Sequence, residues 1–251
     1  MTNESPTTAC VLIIGNEILS GKTQDKNLQF LGAELSRRGV RLEEARVLPD
    51  DKAEIIATLN ACRAKYTYVI TTGGIGPTHD DITAECVASA FNRDLILHDD
   101  AVELLRRSGR ELNPARLKMA HVPKGSVLID NPISNAPGFQ IENVFVLAGI
   151  PSVARAMFSN FADQLGAGGS IYSRNVDVFL PEGDIAKPLG SIAAKHSDVE
   201  IGSYPFSRDG RYGANLVVRG ADESLVEEIF GLVITAMQDL GGEVHVGGSS
   251  S

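Results

Sequence analysis

No stretch of this chain approaches the roughly 20 consecutive apolar residues that a membrane-spanning helix needs. Met1 to Thr8 is polar and lacks the basic start, apolar segment and cleavage site of an export signal. Neither an anchor nor an export leader is expected, and the cytoplasm is the expected location. Basic charge is also short. The chain has 23 Lys and Arg against 32 Asp and Glu, a formal net charge of −9, so a nucleic-acid backbone is a poor partner. Cysteine is scarce: Cys10, Cys62 and Cys86 show neither CxxC spacing nor an even count. Each sits in an apolar stretch, which argues for small buried thiols rather than metal ligands or nucleophiles.

What remains is a globular composition, 43% hydrophobic and 22% charged over 251 residues, enough for one large domain or for a medium domain plus a small one. Thr8 to Ile14 is a continuous β-rich apolar run ending at Gly15, as for a strand buried on both faces. Gly15 to Gly21 reads as a loop. Leu28, Leu31 and Leu35 recur at helical spacing up to Gly39, and Arg41 to Leu48 reads as a strand. Pro49-Asp50-Asp51 then opens a helix whose Ile55, Ile56, Leu59 and Cys62 share a face, and Tyr66 to Thr71 forms a third strand.

Further helices are expected over Ile82–Phe91, Asp99–Arg107 and Ser152–Phe161, with a strand over Val144–Leu147. This alternation implies an α/β fold, three layers around a mostly parallel sheet. Gly166 to Ser170 reads as a flexible connection. The domains are accordingly placed at 7–165, α/β, and 171–243, a small α+β unit of strand, helix, strand, strand and helix. Its elements fall at Arg174–Leu180, Gly183–His196, Val199–Ser207, Ala214–Gly220 and Glu223–Leu240. Arg208-Asp209-Gly210 with Arg211 to Gly213 forms the hairpin, and the Gly/Ser end from Gly247 is expected to be disordered.

Ligands of open parallel sheets bind beyond the C-terminal strand ends. Three segments lie there: Gly15–Gly21, Pro49–Asp51 and Thr71–Thr83. Gly73, Gly74 and Gly76 allow close backbone approach, and the N–H groups of the following helix attract anions, so a phosphate or diphosphate fits. No Lys-Ser/Thr follows at P-loop spacing, and the glycines do not follow GxGxxG. On the glycines alone a tight turn is the stronger reading. The adjoining Asp80 and Asp81 change that balance, because two carboxylates beside a phosphate call for a cation between them, Mg²⁺, Mn²⁺ or Co²⁺. The competing role for either aspartate, and for Asp50, is to cap a helix. Glu17 or Asp50 is a further carboxylate able to position water. His79 reads as a loop side chain or substrate contact.

Taken together, the strings GNEILSG with Asp25 and Asn27, TTGGIGPTHDDIT, Asn131 to Gly138, and Leu147 to Pro151 resemble, in order and spacing, the N-terminal half of the competence/damage-inducible protein A (CinA) family. The resemblance covers roughly residues 9–161, and the tail by element order alone. It implies a molybdopterin-binding fold, shared with enzymes that adenylylate molybdopterin or insert metal into it and with a domain of eukaryotic FAD synthase. Aspartates matching Asp50 and Asp81 are then expected to serve metal and substrate. Asn16, Ser20, Gly21, Asp25, Asn27, Gly73, Gly74, Gly76, Pro77, Thr78, Asn131, Asn135, Gly138, Gly149 and Pro151 are the expected ligand contacts.

The sequence departs from the family pattern at Asn16, where Asp is usual, at Ser134-Asn135 for Gly-Thr, at Ala148 for Pro, and at Val153 for Glu. No counterpart of the family's C-terminal deamidase domain is recognised, so deamidation of nicotinamide mononucleotide is not expected.

Three functions follow. Metal-dependent cleavage of a nucleotide diphosphate such as ADP-ribose or FAD leads. A molybdopterin-binding or adenylylating protein is the second, and a non-catalytic nucleotide-binding assembly module, favoured by the departures, is the third. A homo-oligomer is expected, and a monomeric mass in light scattering would overturn it.

Overall fold

The computed structural model describes residues 7–166 and 172–247. They fall in two compact units, each described by itself. Residues 1–6, most of the glycine-rich connection and the Gly/Ser end from residue 248 lie outside the described residues.

The first unit opens with β1 (Thr8–Ile14), a short helix α1 (Asn16–Leu19), α2 (Asn27–Arg37), β2 (Arg41–Leu48), α3 (Lys52–Lys65) and β3 (Tyr68–Thr72). It continues through α4 (Thr83–Ala90), β4 (Leu95–Leu97), α5 (Asp99–Arg107), α6 (Pro114–Lys118), β5 (His121–Pro123), β6 (Val127–Ile129), β7 (Gly138–Ile141), β8 (Val144–Leu147) and α7 (Pro151–Ser159). Among the described residues the main sheet has six strands in the order β2-β1-β3-β8-β7-β6. The first four run parallel, and at one edge β7 runs antiparallel to both β8 and β6.

Strand alternation splits the core into two layers. Cys10, Leu12 and Ile14 face α3 and α4 through Leu59, Cys62 and Val87. Ala9, Val11 and Ile13 face α2 and α7 through Leu31, Leu35, Met157 and Phe158. All three cysteines are buried and free, as expected for core thiols. The three-layer arrangement of the sequence reading is present, with additions. The segment between α4 and β8 carries four short strands and the helix α6 that periodicity did not reveal, and β4 pairs with β5 apart from the main sheet. Asn16 to Leu19, read as loop, makes one helical turn.

The second unit runs β9 (Tyr172–Phe179), α8 (Glu182–Ala193), β10 (Val199–Arg208), β11 (Arg211–Gly220), α9 (Glu223–Asp239) and β12 (Glu243–Val246). Its antiparallel sheet has the order β10-β11-β9-β12, so the element order is β-α-β-β-α-β, as in ferredoxin-like folds. Val176, Val178, Leu216 and Val218 pack against Ile185, Ile229 and Val233 of the helices. β12 is an addition to the sequence reading. The hairpin is tighter than expected: Asp209 and Gly210 alone form the turn, at φ 53° and 73°, and Arg211 to Gly213 already belong to β11.

Candidate functional site

The chain reverses direction across the sheet at β1, which lies between β2 and β3, and a crevice opens beyond the carboxyl ends at such a point. Loops after β1, β2, β3 and β8 leave the sheet there. The loop 130–137 joins them, because Ile129 pairs with Gly138 at the start of β7, next to the end of β8. The five sequence segments singled out above therefore share one edge of the molecule.

Backbone contacts hold these loops together. Asn16 N–H donates to Asp50 Oδ2 at 2.9 Å, tying the ends of β1 and β2. Asp50 is thus not the helix cap: Asp51 caps α3 by accepting Glu54 N–H at 2.9 Å, which leaves Asp50 at the crevice. Asn27 is buried, and its Nδ2 donates to the Gly149 carbonyl at 2.8 Å, while its Oδ1 has no partner. Asp25 accepts Leu28 N–H at 2.9 Å and opens α2. Gly149 lies so close to Gly73 that a Cβ on it would be 3.3 Å from the Gly73 Cα.

The glycine loop is shaped by its neighbours. Gly73 and Gly74 hold φ of 101° and 68°, and a Cβ on either would collide with the Ile14 carbonyl or the Thr83 hydroxyl. Thr83 fastens the loop to α4: its hydroxyl donates to Gly73 O at 2.9 Å and its N–H to Gly74 O at 2.9 Å. A Cβ on Gly76 would lie 2.7 Å from Asp81 Oδ2, so glycine there makes room for that carboxylate.

Neither Asp80 nor Asp81 caps α4, whose first turn has no side-chain cap. Asp81 Oδ2 instead accepts Thr78 N–H at 2.8 Å and closes the preceding turn. The Thr78 hydroxyl faces both carboxylates, 2.5 Å from Asp80 Oδ1 and also hydrogen-bonded to Asp81. One hydroxyl hydrogen serves one carboxylate at a time. The Thr78 hydroxyl, then the Asp80 backbone, with weaker help from His79 and Lys118, hold the Asp80 carboxyl below the usual carboxylate range. Lys118 Nζ donates to the Thr78 carbonyl. His79 is almost wholly exposed.

Among the described residues no three His, Cys, Asp or Glu gather as a metal cage. Mg²⁺ commonly takes only one or two carboxylates, completed by ligand phosphate and water. Other sequence-predicted residues have mainly structural duties. Asn131 is buried, and both ends of its amide are used inside its own loop, on Ser134, Ala136 and Ile133. Gly138 sits where a Cβ would press on Met157. Asn135 holds φ 60°, and Pro151 starts α7. Ser20 and Gly21 end the exposed turn after α1, and Glu17 folds its carboxylate over Gly15. Val153, where the family has Glu, is a buried core residue of α7.

Beside the glycine loop lies a cavity of about 290 Å³, bounded by Gly74, Gly76, Asp81, Lys118, His121 and Phe139. Lys118 and His121 were not anticipated from the sequence.

Residues 10–167 match the family described as "Probable molybdopterin binding domain". The chain belongs to that family. Residues 170–240 match the middle domain of FAD synthase, which element order alone had not identified. The crystal structure of CinA from Thermoplasma acidophilum, a protein of unknown function, is 32% identical, with a TM-score of 0.61 over 64% of this chain and 98% of that one. A Pyrococcus abyssi protein is 33% identical over 87% of this chain and 92% of its own length. A Caenorhabditis elegans protein named "Probable FAD synthase" is 33% identical over 93% of this chain but 50% of its own. This family membership agrees with the molybdopterin-binding fold inferred from the glycine loop and its flanking strings. No helix among the described residues is long and apolar enough to cross a membrane.

Proposed function

We propose that the chain cleaves the diphosphate of a nucleotide such as ADP-ribose or FAD with the help of a divalent cation, Mg²⁺, Mn²⁺ or Co²⁺. The observation that carries this reading is the pairing of Asp80 and Asp81 around one hydroxyl, directly beside the glycine loop. Asp80 and Asp81 would hold the cation, which supplies charge neutralisation at the phosphate oxygens. The loop of Gly73, Gly74 and Gly76, whose glycines make room for Ile14, Thr83 and Asp81, would accept the diphosphate. Asp50, freed from capping by Asp51, would orient and deprotonate water, with Glu17 as the alternative carboxylate on the neighbouring loop. Lys118 braces the carbonyl of Thr78 and keeps the turn that aims both aspartates.

Phosphate and AMP release from ADP-ribose and FAD, with and without exhaustive chelation, tests the reading. Metal-dependent release supports it, and release that survives chelation removes the metal from the account. The family match favours a second reading, binding or adenylylation of molybdopterin through the same loop. ATP consumption that depends on added pterin would favour it over hydrolysis. The departure at Asn16 favours the third, binding without turnover.

A further inference from the structure

Two of the three core thiols touch. Cys10, the third residue of β1, has its Sγ 3.5 Å from that of Cys62 in the last turn of α3, 52 positions along the chain. Both residues are buried and neither is in a disulfide. Cys86 belongs to the same apolar cluster but stands on α4.

The pair lies toward the sheet's edge. Cys10 is the register partner of Glu44 on the edge strand β2, and the ladder between the two strands skips Glu43 at this point. The Glu44 carboxylate is held by Tyr66, Arg46 and Lys65, and the charges of Glu44 and Arg46 both reach the Cys10 thiol. A partly exposed polar cluster therefore borders the two sulfurs. Burial, followed by the hydrogen bond and charge of Cys62, pushes the Cys10 thiol far above its ordinary range. Thiolate is the reacting form, so the closed chain reacts slowly, and local opening at the end of α3 would set the rate.

We propose that Cys10 and Cys62 are an oxidation site, at which a peroxide joins them as one disulfide tying β1 to α3. One thiolate attacks a peroxide oxygen; the O–O bond breaks, a sulfenic acid forms, and the departing hydroxide takes up the thiol's proton as water. The second sulfur then attacks the sulfenic sulfur. The S–S bond forms, the S–O bond breaks, and a second water leaves. Both sulfurs are oxidised, the peroxide is reduced, and the chain loses two hydrogens. From their present contact the sulfurs close by only about 1.5 Å to reach a bond. The cross-link encloses α1, α2 and β2 and so constrains the unfolded chain. This inference is independent of the nucleotide reading of the crevice.

The test treats the folded full chain with a modest excess of hydrogen peroxide, alkylates the remaining thiols in denaturant, and maps the digest by mass spectrometry. Before alkylation the chain should weigh two hydrogens less. The digest should then contain the Cys10 and Cys62 peptides linked to each other and Cys86 alkylated. The thermal midpoint should rise by at least about 5 °C and return on reduction with dithiothreitol. Cys62→Ala should show neither the linkage nor the rise, and Cys86→Ala should keep both. The digest of the native chain decides the pairing even where a variant does not fold.

Three thiols that all remain open to alkylation, or that pass singly to sulfinic acid, overturn the proposal. So does a bond that takes Cys86 in place of either partner, or one that forms only in denaturant. A linked chain whose midpoint is unchanged overturns the stabilising role of the bond.

Discussion

The Asp50 carboxylate accepts the Asn16 backbone N–H at 2.9 Å, so the loops that follow two neighbouring parallel strands are joined by one side chain at the mouth of the crevice. Asp50→Asn keeps an acceptor oxygen for this bond, whereas Asp50→Ala removes it. Asp50→Ala is expected to lose about 1 kcal/mol of stability in urea denaturation, and Asp50→Asn much less. Both should lose nucleotide cleavage, because neither retains a base. Full activity in the Asn variant would reduce Asp50 to a structural tie.

Gly73 and Gly21 share a positive φ, 101° and 71°, but not their surroundings. A Cβ at Gly73 runs into the Ile14 carbonyl, a backbone group with nowhere to move, while a Cβ at Gly21 meets nothing within 4 Å. Gly73→Ala is expected to cost more than about 3 kcal/mol and Gly21→Ala about 1 kcal/mol. Similar melting temperatures for the two variants would contradict the packing described for the loop.

Asn131→Ala should destabilise by about 2 kcal/mol or more, since it strips several hydrogen bonds from a buried loop at once. If Asn131 served the ligand instead, stability would hold and only binding would fall. Thermal denaturation beside ligand titration tells the two apart.

On the edge strand β2, the Tyr66 hydroxyl, followed by Arg46, pulls the Glu44 carboxyl from its ordinary 4.5 down to about 2. The folded state therefore favours the charged form. Its stabilising effect is complete above the ordinary value and is lost as pH falls through the folded one. The stability gap between the native chain and Glu44→Gln should be constant above about pH 4.5 and close progressively toward pH 2. A gap that persists unchanged through that window would show that Tyr66 and Arg46 do not hold the charge.

How much of this was legible in the sequence follows from element length. Thr8–Ile14 and Tyr68–Thr72 are strands rich in β-branched residues, and α2 and α3 show helical spacing over many residues, so the parallel half could be read directly. Leu95–Leu97, His121–Pro123 and Val127–Ile129 are three residues each and partly exposed, too short for any period to register. Asn113-Pro114, a cap followed by proline at the first helical position, was a usable signal for α6.

In the site, adjacent Asp50 and Asp51 match a cap equally well as text. Only the direction in which the chain leaves β2 assigns the cap to Asp51. Lys118 and His121 stand far along the chain from the glycine loop, and no local pattern ties them to it. The folding of the segment between α5 and β6 back onto α4 brings them there.

The central claim is that the paired aspartates beside the glycine loop carry metal-dependent cleavage. The most direct measurement is AMP release from ADP-ribose and FAD in saturating Mg²⁺, Mn²⁺ or Co²⁺ by the native chain and by Asp81→Asn, with folding checked by thermal denaturation. The account predicts release by the native chain and a loss of at least about a hundredfold in a folded variant. Equal rates in the two, or no release by a native chain that still binds AMP, would contradict it.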